Sequence, residues 1–239
     1  MTGTLLNAAG ILIGGIIGLT VTKQLSPAAQ FAIKGLMGVA TVFVGLRMTL
    51  MSLGPSFWWA GKQLLIVVLA LMAGRIIGRL LRLQQGSNKL GQYAKERISQ
   101  SQSQEGRRLA EGFVTCTVLF CVGPMAILGA LQDGLEGKWH ALGIKALMDG
   151  FATMAFVTTF GWGVMLSVIP VVAYQGTITL CAQWLAPFLR DHALIDAVTA
   201  TGGLLIFCVA LIVLEIKKIA LADYLPSLLV APLLAWLWK

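Results

Sequence analysis

The sequence predicts an all-α fold, a polytopic transmembrane helical bundle, on three observations. Its 239 residues are 57% hydrophobic and only 12% charged, with a mean hydropathy of +0.83. The apolar residues lie in runs of helix-spanning length instead of the short alternating segments of an outer-membrane barrel. A single long hydrophilic stretch, from Gln84 to Arg108, interrupts them. This composition excludes a soluble domain and a disordered or fibrous chain.

A hydrocarbon core about 30 Å thick needs roughly 20 apolar residues at 1.5 Å rise each. Cut to that measure, the chain gives eight expected spans: 3–22, 35–53, 57–81, 109–132, 142–167, 170–189, 196–215 and 223–238. Pro226 and Pro232 shorten the last, and Pro170 is expected to separate the fifth from the sixth by a sharp turn. Seven or nine spans stay open as alternatives. The hydrophilic stretch divides the chain into a three-span amino-terminal unit (1–83), a polar linker (84–108) and a five-span carboxy-terminal unit (109–239). The Gln/Ser run at 99–104 favours a solvated linker, with a short interfacial helix around 88–98 as the alternative.

The net charge of +8 would suggest nucleic acid in a soluble protein, but here the basic residues gather beside apolar runs, which is how topology is controlled. No nucleic-acid partner is expected. Arg75, Arg79 and Arg82 adjoin the linker, so the positive-inside rule places it in the cytoplasm and, with eight spans, both termini outside. That arrangement puts 12 Lys/Arg on the inner side and 6 on the outer, Lys145 among the latter. No basic residue precedes the first span and Lys23 follows it, so that span is expected to be permanent and not a cleaved signal.

Cys116, Cys121, Cys181 and Cys208 all fall within apolar stretches without a Cys-x-x-Cys or Cys/His spacing, and His140 and His192 stand singly. Neither a disulfide framework nor a metal site is expected, and no cofactor. The sequence has no Walker loop, no His-Glu-x-x-His and no Gly-x-Ser-x-Gly, so no enzyme or primary pump is expected.

Ionisable groups deep in a bilayer cost at least ~2.5 kcal/mol, so each calls for a partner or a function. Asp149 is the first candidate, seven or so residues inside the fifth apolar stretch. A span starting at Gly150 would instead make it a helix-start acid stabilised by the macrodipole. Glu111, at the start of span four, and Asp133, ending it, are further candidates, with an N-terminal helix acid and a solvated turn acid as the plain alternatives. Arg47 could balance one of these acids or an anionic substrate, or simply snorkel along its apolar stem.

Gly123-Pro124 marks a break in span four, because proline removes a backbone donor and frees a carbonyl that could bind a cation or polar solute. Thr115, Thr117 or a neighbouring helix could equally satisfy that carbonyl. Gly161 and Gly163 are expected to make a glycine-rich break in span five. In span one, Gly10, Gly14 and Gly18 recur at four-residue spacing on the face of Asn7, the pattern of close helix approach with an amide hydrogen-bonding across the contact. Gln175 and Thr177 are polar positions in span six and join Asn7 as cavity candidates.

Two weak internal repeats can be read. Residues 111–115 (EGFVT) and 149–153 (DGFAT) each precede a glycine-containing break by about ten residues, and Gly3-Thr4 parallels Gly176-Thr177 five spans later. Both separations invert the topology, the architecture of many secondary transporters; compositional likeness among glycine-rich membrane helices is the other explanation. The segments 3–15 (GTLLNAAGILIGG), 111–129 (EGFVTCTVLFCVGPMAILG) and Gly202-Gly203 with Glu215 to Lys218 resemble the bacterial YqgA/YdfK type of membrane protein, labelled domain of unknown function 554. The resemblance runs over nearly the whole chain and implies the bacterial inner membrane and transport, with no substrate or catalytic residue to transfer.

Two functions are therefore expected to compete: a secondary transporter or exporter of a small solute or ion, and a non-transporting scaffold or sensor acting through the cytoplasmic linker. The lipid bilayer and a small solute or ion are the expected partners, and self-association is left open.

Overall fold

In the computed structural model the described residues, which are 1–20, 26–54, 56–89, 105–122, 124–191 and 194–238, are mostly helical, and none of them lies in a strand. Among the described residues nine principal helices follow in order: α1 (Thr2–Thr20), α2 (Pro27–Met51), α3 (Phe57–Leu80), α4 (Glu105–Val122), α5 (Pro124–Glu136), α6 (His140–Phe160), α7 (Val168–Asp191), α8 (Ile195–Val213) and α9 (Ser227–Leu237). Short 3-10 turns precede α7 (Trp162–Ser167) and α9 (Leu221–Tyr224). Helical residues 83–89 begin the linker, whose residues 90–104 lie outside the described ones, as does most of the expected interfacial helix.

Length and hydropathy qualify α1, α3, α6, α8 and the stretch Trp162–Leu189 as membrane-crossing helices. Segments Gly112–Cys121 and Met125–Glu136 of α4 and α5, bent by 59° at their junction, make a sixth crossing when taken together. Gly35–Met51 and Leu221–Leu237 are shorter apolar helices. The expected break in span four thus falls where α4 gives way to α5, although Gly123 itself lies outside the described residues.

The expected break in span five is corrected. Gly161, with φ of 75°, ends α6 and begins the turn into α7, so the glycines separate two spans instead of interrupting one. Leu109 lies so close to Gly163 that a Cβ there would meet its backbone. Pro170 does not make the turn. It sits in the first helical turn of α7, where a missing donor costs little.

The helices pack into two compact units, each drawing on both sides of the linker: residues 1–31 with 87–182, and 32–86 with 183–239. In the first, Gly10, Gly14 and Gly18 of α1 meet the backbone at Ala146, Gly150 and Met154 of α6; the ascending order on both helices makes them parallel. Thr4 pairs with Thr179 and Asn7 with Gln175, a descending order that makes α7 antiparallel to α1. Gly112 of α4 packs on Phe160 and Gly129 of α5 on Leu142, so α4 and α5 together run from the far end of α6 to its start. The pair thus covers the length of α6 with one bend between its halves. Ile11, Phe120, Val157, Phe160, Val164 and Val171 form the apolar core of this unit.

In the second unit Gly45 and Thr49 of α2 pack against Phe207 and Ala200 of α8, and Gly74 and Gly78 of α3 against Ser227 and Asp223, both pairs antiparallel. Ile66, Ala70, Ala197 and Ala231 are its buried core. After α3, Arg82 takes a left-handed φ of 54° and turns the chain so that Gln84 faces the 3-10 turn before α9. There the Gln84 amide N–H donates to Asp223 (2.8 Å), and the Ala222 N–H donates to the Gln84 side chain (3.0 Å).

Candidate functional site

The site grows out of the α1–α6 contact. Because glycine carries no Cβ, the two helices meet at backbone distance: a Cβ on Gly18 would stand 2.5 Å from the Met154 carbonyl oxygen, and those on Gly10 and Gly14 closer still to their neighbours' carbonyls. Asn7 lies one turn before Gly10 on this buried face and is fully enclosed. Its side-chain amide donates to the side-chain carbonyl oxygen of Gln175 on α7 at 3.2 Å.

Asp149 is near the middle of α6 and 6% exposed, inside the span and not at its start. Its ion-pair partner is Lys145, one turn earlier on the same helix and 5% exposed, with Nζ 2.8 and 2.6 Å from the two carboxylate oxygens. Lys145 Nζ also stands 5.9 Å from the centre of the Phe120 ring on α4, within cation–π range. One buried ion pair of α6 thus stands beside Phe120 of α4, where α1 packs on α6 and carries the Asn7 amide bonded to Gln175 of α7.

In the linked amides of Asn7 and Gln175 two buried polar atoms have no hydrogen-bond partner, Asn7 Oδ1 and Gln175 Nε2. An unpaired buried polar atom costs about 1–3 kcal/mol, so these two amide atoms are candidate contacts for a polar ligand. Cys116 and Cys121 of α4 are free thiols packed in the core cluster with Phe120. No cluster of three or more metal-ligating side chains occurs among the described residues.

The sequence candidates separate clearly. Asp149, Asn7 and Gln175 come together. Asp133 is buried and accepts the Gly3 backbone N–H at 2.9 Å, which makes it an anchor for the start of α1 instead of a solvated turn acid. Thr177 is exposed and its hydroxyl donates to Ala173 of its own helix. Thr179, two residues on, faces inward: it lies 3.4 Å from the Thr4 hydroxyl and donates to the Ala130 carbonyl. Arg47 is exposed, and the charge that balances Asp149 is Lys145. The side chains of Glu111 and Pro124, like Gly123, lie outside the described residues. Lys145 is the residue sequence reasoning missed. Its signal was the four-residue spacing to Asp149, the distance at which opposite charges meet on a helix.

Elsewhere, Phe57, Trp58, Trp59, Lys62 and Trp238 surround a groove of about 490 Å³ at the start of α3. Exposed tryptophans beside a lysine are the usual dress of a membrane–water boundary.

The chain is similar along its whole length to proteins whose roles are not described. A family model, "Protein of unknown function (DUF554)", matches residues 2–236. "Uncharacterized membrane protein YdfK" of Bacillus subtilis (strain 168) is 32% identical over 232 residues, covering 97% of this chain and 94% of the relative. "Uncharacterized protein YqgA" of Escherichia coli (strain K12) is 27% identical over 237 residues, 99% of this chain and 97% of the relative. No solved structure matches significantly. Full-length match to the family model and to YdfK establishes that the chain belongs to the DUF554 family of membrane proteins.

Proposed function

We propose that the chain is a secondary transporter of a small solute or ion across the bacterial inner membrane, with Asp149 and Lys145 at its coupling centre. The observation that carries this reading is a buried ion pair whose two members sit on one helix. Such a pair fastens no helix to another, so the packing of α1 on α6 gains little from it. A buried pair is also often no more stabilising than apolar residues of the same volume. Structure alone gives little reason for the pair, whereas intramembrane charges in an apolar bundle commonly mark ion pathways. A carboxylate that can take up a proton facing one side and release it facing the other supplies coupling.

The inverted-repeat reading belongs to the same proposal. Residues 111–115 and 149–153 lie on α4 and α6, which run antiparallel, as an inverted pair requires. The orientation belongs to it as well: linker 84–108 cytoplasmic and both termini external, supported by Arg75, Arg79 and Arg82 at the end of α3. Reporter fusions after Arg108 and Lys239 should report opposite sides, and a common side would contradict the orientation.

The functional test uses the purified full chain in proteoliposomes holding a pH-sensitive dye, with gradients of monovalent cation and anion salts imposed in turn. Wild type should move protons with one gradient; Asp149→Asn, inserted to the same level, should not. Wild type indistinguishable from empty liposomes, or Asp149→Asn moving protons at the wild-type rate, would overturn the proposal and favour a scaffold acting through the linker.

A further inference from the structure

We propose that the Lys145–Asp149 site binds a small monovalent anion together with one proton. The inference deepens the transporter reading, on which its placement along a transport path rests, by naming the class of ion.

The empty site is neutral because the Lys145 ammonium and the Asp149 carboxylate cancel, with hydrogen-bond distances of 2.8 and 2.6 Å between them. Net charge in this interior is costly, so the accessible loaded states are those that restore neutrality. Two qualify. In one, a proton forms an O–H bond on Asp149, the lysine keeps its charge, and an anion takes the place of the carboxylate as its counter-ion. In the other, Lys145 gives up its proton and a cation sits on Asp149.

Three features of the site favour the first. The Phe120 ring, 5.9 Å from Nζ, stabilises the ammonium whatever the carboxyl does, and would lose that interaction if the lysine were neutral. Gln175 Nε2 is a fully buried donor without a partner, the polarity an anion needs. Asn7 Oδ1 is a fully buried acceptor without a partner, on the face of α1 that packs on α6 between Leu142 and Ala146, and can receive the new O–H. Both amide atoms idle in the empty site acquire a partner in the loaded one. A cation on Asp149 would employ the Asn7 oxygen and leave the Gln175 donor unused.

Size follows from the packing. Gly10 and Gly14 hold α1 against the α6 backbone at Ala146 and Gly150, flanking the pair on both sides, so the ion must be small: a halide or a one-carbon carboxylate. Among the described residues, the other titratable groups that interact electrostatically with the pair are the Cys116 and Cys121 thiols of α4, and the Tyr174 phenol of α7 interacts with Cys121. Thiols and phenols hold their protons at mildly acidic pH, so none of them can replace the Asp149 carboxylate as counter-ion there. The step involves no redox change: one proton and one anion enter, one O–H bond forms, and the ammonium exchanges one anionic partner for another.

The test is anion rescue of the full chain purified in mild detergent, read as its thermal unfolding midpoint in sodium chloride or sodium formate against sodium gluconate at equal ionic strength. Asp149→Asn removes the built-in counter-ion, so chloride or formate should raise its midpoint saturably while gluconate does not. Wild type should ignore the anion at neutral pH and respond at mildly acidic pH, where all three salts remain ionised. Lys145→Met should ignore it throughout. Should Asp149→Asn fail to fold, wild type at acidic pH and Lys145→Met decide the matter. The proposal is overturned if chloride and formate act no differently from gluconate, or if Lys145→Met responds as wild type does. The measurement involves no transport. An anion response without proton flux in liposomes would therefore sink the transporter reading and keep the site, and flux without an anion response would do the reverse.

Discussion

Substituting Gly14 by alanine should separate α1 from α6, and the size of the effect can be worked from the contact itself. A Cβ on Gly18 would stand 2.5 Å from the Met154 carbonyl oxygen, ~0.9 Å short of the 3.4 Å at which ordinary contact begins; on Gly14 the shortfall against the Gly150 carbonyl is greater. The obstacle is backbone, which cannot rotate aside, so the helices must part by about that amount. A gap of 0.5–1 Å forfeits roughly a quarter to a half of each dispersion contact along the seam. Overpacking of this kind typically costs about 1–3 kcal/mol, and Gly14 should fall at the upper end. For a chain of this length that is a loss of several degrees in thermal midpoint. The assay is thermal unfolding in mild detergent, with Gly61→Ala as the internal control. A Cβ on Gly61 of α3 would meet nothing within 4 Å, so alanine there should be neutral or stabilising by up to ~1 kcal/mol. Equal midpoints for the two variants would refute the reasoning that α1 and α6 meet at backbone distance.

Thr179→Val should destabilise by roughly 0.5–1.5 kcal/mol, because it removes the bond to the Ala130 carbonyl and the Thr4 contact; Thr177→Val, on the exposed face, should stay within about 0.5 kcal/mol of wild type. Denaturation of the two side by side checks this, and equal losses would contradict the orientation of α7. Gln84→Ala should remove the side-chain acceptor of the Ala222 N–H while leaving the Gln84 backbone N–H on Asp223, raising hydrogen exchange at 221–224 without changing it in α1 or α6. Unchanged protection at 221–224 would show that the clasp does not hold that turn.

Much of this was legible in the sequence. The glycine spacing of α1 announces a smooth face, and Asn7, on that face, lies where the contact is. Asp149 stood out because a carboxylate within an apolar run has no cheap explanation. Lys145 escaped notice for an equally physical reason: near the edge of a span, a lysine reads as a topology charge until the partner one turn along is considered. The choice between Thr177 and Thr179 had a signal too, since Thr179 lies four residues after Gln175 and shares its face. The turn at Gly161 had a weaker one, because residues on both sides are apolar and hydropathy does not dip between α6 and α7. The grouping of helices had none. The linker is visible as polar composition, but which helix of the first part packs on which of the second depends on contacts between distant residues, such as Gly10 with Ala146, that a single sequence does not encode locally.

The most direct test of the coupling claim is the neutral double variant Lys145→Met, Asp149→Asn. Removing one partner strands a buried charge, typically at ~3–5 kcal/mol, but replacing both leaves none, and exchange of a buried pair for uncharged residues is often neutral or stabilising. If the pair couples transport, the double variant should match wild type in thermal midpoint and membrane insertion and show no proton movement in dye-loaded proteoliposomes under the gradient that drives wild type. A double variant as stable as wild type that moves protons at the wild-type rate would contradict the account.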